Sequence, residues 1–299
     1  MHSVLVATDF SPRADRALRR AVLVARQFSA GLVLLHALDD ELPETLLAIQ
    51  RDSSEGLLAE TAATISSSDQ VDCTYRLVMG DPFRALVDAA RELEPDLVVM
   101  GPHRRNLLKD IFVGTTAERT IRESATPILM ANGMPASPYQ RIMIATDLSE
   151  CSLEAAKAAM ELGLLAEAHL EILHVFDTPE RSMMQRSMMT GDEVEDYTAT
   201  VRAEAINDLR SFLSEAGIQP DRKTVQAIEL SVPDTILSAA RKAQIDLLVI
   251  GMHGRTGLEK FFLGSVAEEV LRYAKVDVLV IPSATRSRDS EEPAGMGNE

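Results

Sequence analysis

The 299-residue chain has only two cysteines, Cys73 and Cys151. A lone pair of thiols this far apart offers neither a disulfide framework nor the paired spacing of a zinc site. Two reduced structural thiols in a cytoplasmic protein are expected. Basic residues are also scarce: 30 Lys+Arg stand against 46 Asp+Glu, a net charge of −16. The deficit holds in both parts of the chain, with 14 against 19 in residues 1–138 and 16 against 27 in residues 139–299. A general DNA or RNA binder needs a basic face, so no nucleic-acid partner is expected; a local basic pocket for one nucleotide stays open. No apolar run approaches the roughly 18 residues of a membrane span. The start, Met1-His-Ser-Val-Leu-Val, runs straight into a strand pattern and lacks the basic opening of a signal peptide. Neither a Gly-x-x-x-x-Gly-Lys-Ser/Thr loop nor a Gly-x-Gly-x-x-Gly fingerprint occurs.

What the chain does contain is itself, twice. Val4-Leu-Val-Ala-Thr-Asp9-Phe-Ser11 matches Ile142-Met-Ile-Ala-Thr-Asp147-Leu-Ser149, 138 positions later. His36 and His174 keep that offset, but Asp96-Leu-Val-Val-Met-Gly101 and Asp246-Leu-Leu-Val-Ile-Gly251 are 150 apart. The second half has therefore gained residues, expected around Met183–Glu195. In each half short apolar strands alternate with helical stretches. Ser11 is placed to cap the first helix with Pro12 at its first position, and Ala14, Ala17, Leu18, Ala21 and Val22 follow at helical spacing. Continuous apolar strands separated by helices imply a parallel sheet covered on both faces. Five strands are expected near 3–8, 31–36, 73–79, 96–101 and 126–130, with counterparts near 141–146, 169–174, 224–229, 246–250 and 277–281. Domains are expected over 1–134 and 139–283, joined at the turn-rich Asn132–Pro138, with a disordered tail over 284–299. The last strand of each half would leave an apolar edge in water. The two edges are therefore expected to meet, forming an internal pseudo-dimer; a homodimer is a further option.

The strongest functional signal is Gly251-Met-His-Gly254, nine residues, then Gly264-Ser265. It follows an apolar strand and opens a helix, so backbone N–H groups and a helix N-terminus converge on one spot suited to phosphate. Gly251 would let backbone pass close to a ligand, Gly254 would permit a tight turn, and Gly264 would let the helix start approach the phosphate. Ser265 would add a hydroxyl and an N–H.

These residues resemble the universal stress protein family in its tandem, two-domain form, whose ATP signature is Gly, two residues, Gly, nine residues, Gly, then Ser or Thr. The resemblance covers nearly the whole chain. It implies two tandem doubly wound α/β domains, each a mostly parallel five-stranded sheet with helices on both faces, similar to the adenine nucleotide alpha hydrolases. It also implies ATP across the C-terminal edge of the sheet, ADP or AMP being alternatives and Mg²⁺ an allowed companion. Asp147 would then lie at the adenosine end beside Ala145, although helix capping is its plainer role. Val175 would offer backbone bonds to adenine. Ile250 and Gly251 would line the ribose and phosphate path, and Gly254, Gly264, Ser265 and Val266 would hold the phosphates. The Ser-Gly-Gly loop of related adenylating folds is absent.

The first half departs from the signature at Gly101-Pro-His-Arg104, nine residues, then Gly114-Thr115. Arg104 replaces the second glycine, so loss of ATP binding is expected there; Arg105 and Lys109 leave a rebuilt anion site open, and Asp9 and Ala37 remain. Met183, Met184, Met188 and Met189 read as a packed amphipathic helix, with an adaptable lid or partner surface as the sharper alternative. His174 and His253 read as packing or loop residues. No catalytic residue and no protein metal site is assigned. The expected function is nucleotide-dependent regulation in a stress response, through a protein partner. A slow ATPase or phosphotransferase, or an adaptor whose nucleotide only stabilises the fold, are the alternatives.

Overall fold

The computed structural model describes residues 1–39, 43–102, 115–178, 191–254 and 263–282. The methionine cluster at 183–189, the tail beyond 282, and the Arg104, Arg105 and Lys109 group all fall outside them. The first half runs β1 (Ser3–Ala7), α1 (Pro12–Phe28), β2 (Gly31–Leu38), α2 (Glu44–Asp69), β3 (Cys73–Met79), α3 (Pro82–Leu93), β4 (Leu97–Met100), α4 (Thr116–Glu123) and β5 (Ile128–Met130). The second runs β6 (Arg141–Thr146), α5 (Glu150–Glu161), β7 (His169–Phe176), α6 (Gly191–Ala216), β8 (Arg222–Ala227), α7 (Val232–Lys242), β9 (Leu247–Gly251), α8 (Ser265–Tyr273) and β10 (Asp277–Ile281). Strand β8 begins two residues before its expected start, and β5 begins just after Pro127, which has no N–H to give to a ladder. Helices α2 and α6 are each 26 residues long. Most of the extra length of the second half therefore falls between β7 and α6, and Gly191–Glu195 belongs to the helix rather than to the insertion.

Local chemistry starts the helices where the side chains indicate. Ser11 Oγ accepts the Ala14 N–H at 3.3 Å, with Pro12 next, and Ser149 Oγ accepts the Ser152 N–H at 3.2 Å. In α1, Ala17, Ala21, Val24 and Ala25 form the buried stripe against the sheet.

The ten strands make one sheet in the order β3-β2-β1-β4-β5-β10-β9-β6-β7-β8. Within each half every pairing is parallel. At the join β5 and β10 pair antiparallel, with Met130 opposite Val278, Leu129 opposite Leu279 and Ile128 opposite Val280. These six side chains are each at most 1% exposed. Burying an aliphatic side chain this completely contributes about 1.5–3 kcal/mol, an upper figure against an extended unfolded chain. So the two apolar edges expected to meet do so, and on each face of the joined sheet a core runs through both halves. On one face of the sheet that core joins α1, α2, α5 and α6; on the other it joins α3, α4, α7 and α8.

A buried polar knot lies across the join. Arg20 of α1 donates from Nε to Asp277 Oδ2 at 2.8 Å and from an η nitrogen to the Ser137 carbonyl at 2.8 Å. The Tyr139 hydroxyl donates to the same Asp277 oxygen at 2.6 Å, and the Gly133 N–H donates to Oδ1 at 2.7 Å. The Arg20 guanidinium also lies 4.2 Å from the centre of the Tyr139 ring. Burial, then the Asp277 charge, drive the Tyr139 pKa well above its ordinary value, so the phenol stays a donor.

Candidate functional site

In the second half the sheet order is β10-β9-β6-β7-β8, so the connections leaving β6 and β9 diverge to opposite faces. A crevice at the C-terminal ends of such strands is where α/β sheets hold ligands. A cavity of about 230 Å³ opens there. All nine residues singled out in the sequence line it: Ala145, Asp147, Val175, Ile250, Gly251, Gly254, Gly264, Ser265 and Val266. Leu173, Val232, Ile236 and Met252 complete an apolar floor that the motif alone did not reveal. Residues 255–262, within the motif, lie outside the described residues.

The polar rim is built from two sides. Asp147 follows β6, where Leu148 takes a left-handed backbone turn at φ 65°. Its Oδ1 accepts the Ser149 N–H at 3.1 Å and the hydroxyls of Ser149 and Ser152 at 2.6 Å each. Its role therefore includes organising the start of α5, the plainer reading of that carboxylate. Its other oxygen is turned toward the glycine loop: a Cβ placed on Gly254 would lie 2.9 Å from Oδ2.

Opposite stands the start of α8. Its N-cap is Gly264, with no side-chain cap. The Gly264 N–H donates to the Met252 carbonyl at 3.0 Å, which ties the two ends of the motif together. A Cβ on Gly264 would stand 3.2 Å from that same carbonyl oxygen. The following residues, Ser265, Val266 and Ala267, line the cavity, so an uncapped helix start with its partial positive charge faces the space. A side chain at Gly254 or Gly264 would thus crowd neighbouring protein atoms, in addition to any ligand. Gly251 is the exception, since a Cβ there would make only ordinary contacts from 3.5 Å outward.

The histidines at the strand ends are anchored. His174 Nδ1 lies 2.9 Å from the Thr146 carbonyl, and His36 Nδ1 lies 2.8 Å from the Thr8 carbonyl. A carbonyl only accepts, so Nδ1 carries the proton in each case and both rings pin neighbouring strand ends. Cys151, on the first turn of α5, has its pKa raised by burial and then by the charges of Glu154, Asp147 and Glu150. Burial, then Asp72, lifts Cys73 to about 11. Both thiols stay protonated near neutrality and are poor nucleophiles. Among the described residues no group of three or more His, Cys, Asp and Glu could hold a metal ion. Among them, too, no helix is long and apolar enough to cross a membrane.

The equivalent crevice of the first half differs at its helix start. Thr115 is the N-cap of α4, and its own hydroxyl accepts the Glu118 N–H at 3.2 Å. Ser265, its counterpart in the repeat, is instead the first residue of α8. The sequence pairs Gly-Thr with Gly-Ser, but only the second-half helix is left without a side-chain cap.

Comparison with known proteins agrees with this architecture. The family model described as "Universal stress protein family" matches twice, over residues 1–132 and 138–282. A universal stress protein of Methanocaldococcus jannaschii is 31% identical over 144 residues, 48% of this chain and 82% of its own length. Universal stress protein E of Escherichia coli is 22% identical over 299 residues, 93% of each chain. The crystal structure of a universal stress protein from Archaeoglobus fulgidus superposes with a TM-score of 0.68 at 18% identity, covering 94% of this chain and 98% of that one.

Proposed function

Because the chain belongs to the universal stress protein family, in tandem form, we propose that its second half binds ATP and that the nucleotide regulates a protein partner in a stress response. The observation that carries this reading is the uncapped start of α8 facing an apolar cavity beside Asp147. The base would lie against Leu173, Val175 and Ile236, with backbone groups of Val175 reading its edge. The ribose would lie near Ala145, Asp147 and Ile250. The phosphates would reach Gly251, Gly254, Gly264, Ser265 and Val266, where N–H groups and the helix dipole favour negative charge. Mg²⁺, if it accompanies the nucleotide, would be held chiefly by phosphate oxygens. A bound nucleotide would bridge the Met252–Gly254 turn to the start of α8. A partner that prefers the bridged state would give the nucleotide control, since only differential affinity shifts an equilibrium. Reduced thiols and a supply of ATP make the cytoplasm the compartment this reading implies.

Calorimetric titration of the full chain with ATP tests the placement. Gly264→Val sets branched carbon against the Met252 carbonyl, 3.2 Å from the Cβ position, and into the phosphate approach. The dissociation constant is expected to rise about tenfold or more, equivalent to about 1.4 kcal/mol. Unchanged affinity in a folded variant removes the site from this crevice. Single-turnover hydrolysis on the same protein distinguishes a binding role from a slow ATPase.

A further inference from the structure

The ten-stranded sheet ends in two outer strands, β3 in the first half and β8 in the second. An outer strand presents a row of backbone groups open to pairing, and proteins ordinarily blunt it. On β8 that is done. Arg202 of α6 donates to the Val225 carbonyl at 3.2 Å, and the charged Arg222 and Lys223 open the strand. Strand β3 has no such guard. The Leu32 N–H donates to the Asp72 carbonyl, and the Gly80 N–H donates to the Leu38 carbonyl. The alternation of a parallel ladder then turns the backbone groups of Thr74, Arg76 and Val78 toward β2, and those of Tyr75, Leu77 and Met79 away from it. Among the described residues these outward groups have no partner.

Side chains mark the same end of the sheet. Ten large apolar side chains are exposed among the described residues, and five of them belong to β3 and the helix packed on it: Tyr75 and Met79, with Leu46, Ile49 and Leu57 of α2. None belongs to β8 or α6. The duplication has thus left one sheet with a guarded end and an apolar, open one.

We propose that β3 is a dimer contact, pairing antiparallel with β3 of a second copy of this chain about a two-fold axis at Leu77. In that register Leu77 exchanges both backbone bonds with Leu77 of the second copy, and Tyr75 does so with Met79, so every outward group is paired. Tyr75 and Met79 form an aromatic–thioether pair across the contact. Arg76 stands opposite Val78, with its guanidinium drawn aside onto Glu92 at 2.8 Å. The register centred on Arg76 sets like charges directly opposite each other and is disfavoured; the one centred on Tyr75 leaves Met79 unpaired.

A second copy fits this edge for two reasons. The exposed residues are complementary to themselves, and the chain already joins its own halves by the same antiparallel pairing, β5 against β10. Closing two open ends on each other also leaves the guarded β8 at both ends of the joined sheet, so assembly stops at two. Each chain carries −16, so long-range repulsion opposes the contact and added salt should favour it.

Sedimentation velocity of the full chain tests this, over a concentration series reaching about 100 µM in about 0.5 M salt. The expected species has twice the mass of one chain, and amide exchange at Tyr75, Leu77 and Met79 should slow as it forms. Tyr75→Pro removes an outward donor and leaves the ladder to β2 intact. It should raise the dimer dissociation constant at least about tenfold. Met79→Glu sets a carboxylate against the tyrosine ring and should weaken the dimer as well. Leu230→Glu, the same charge change on an exposed residue of the second half, should leave it unchanged. Where Tyr75→Pro fails to fold, Met79→Glu decides. A chain that stays monomeric throughout leaves the edge to a strand of some other protein and overturns the proposal. So does a dimer that neither substitution weakens.

Discussion

Replacing Asp277 by alanine should damage the whole molecule, not only the strand that carries it. The Arg20–Asp277 pair has side chains 5% and 1% exposed, so water cannot solvate whichever partner remains. Asp277→Ala strands the Arg20 charge and removes the acceptor of the Tyr139 hydroxyl and of the Gly133 N–H. Breaking a buried pair in this way costs about 3–5 kcal/mol, most of it the penalty of the orphaned charge. For a chain of this length the unfolding entropy is near 0.6 kcal/mol per degree, from about 2.1 cal/mol/K per residue. The melting temperature should therefore fall by roughly 5–8 °C. Urea unfolding gives the free energy and calorimetry the midpoint. Pairing the substitution with Arg20→Met should recover much of the loss, because the apolar replacement leaves no charge to desolvate. Tyr139→Phe alone should cost about 1.5–3 kcal/mol, the range for a hydrogen bond to a charged acceptor. A loss below about 1 kcal/mol for Asp277→Ala, or a double variant no better than the single, would refute the claim that this knot fastens the halves.

Gly254→Ala should raise the ATP dissociation constant about tenfold because its Cβ would press on Asp147 Oδ2 at 2.9 Å, whereas Gly251→Ala should change it little; equal effects would show that ligand contact alone sets these positions. The raised pKa values of Cys73 and Cys151 should make iodoacetamide labelling of the folded chain at neutral pH at least about tenfold slower than in urea, and rapid labelling of either thiol would contradict their environments. Burial lifts the Asp96 pKa, but the N–H bonds from His2 and Ser3 outweigh it and the net shift is downward. Its stabilising contribution is thus present above the unfolded value of about 3.9 and lost as pH falls through the lowered one. Asp96→Asn should destabilise at pH 7 and have little effect near pH 2, and an equal loss at both would count against that linkage.

Much of this arrangement could be read from residue spacing, because backbone geometry writes directly into it. The repeated Ala-Thr-Asp segments located two first strands, and three glycines with a serine located the crevice. What stayed hidden depends on neighbours brought together by the fold. Arg20 and Asp277 are an unremarkable helix arginine and strand aspartate until the sheets join, 257 positions apart. The roles of Gly254 and Gly264 against Asp147 and Met252 were equally invisible, since spacing does not say which atom fills the place of an absent side chain. Gly-Thr and Gly-Ser look interchangeable, but the threonine stays outside its helix and caps it, while the serine becomes the first helical residue. Cap geometry is decided by one pair of backbone angles, for which the sequence holds no pattern.

The antiparallel meeting of β5 and β10 has a consequence for communication. It reverses strand direction at the centre of the sheet, so the two crevices open toward opposite rims. Both nevertheless lie over the face covered by α3, α4, α7 and α8. Four strand spacings across and one strand length along separate them by roughly 25 Å. No single small ligand can touch both. Any message between the two passes through the shared core, where Leu129 faces Leu279 and no loop intervenes. The chain is in that sense a two-ended object, with one crevice at each rim.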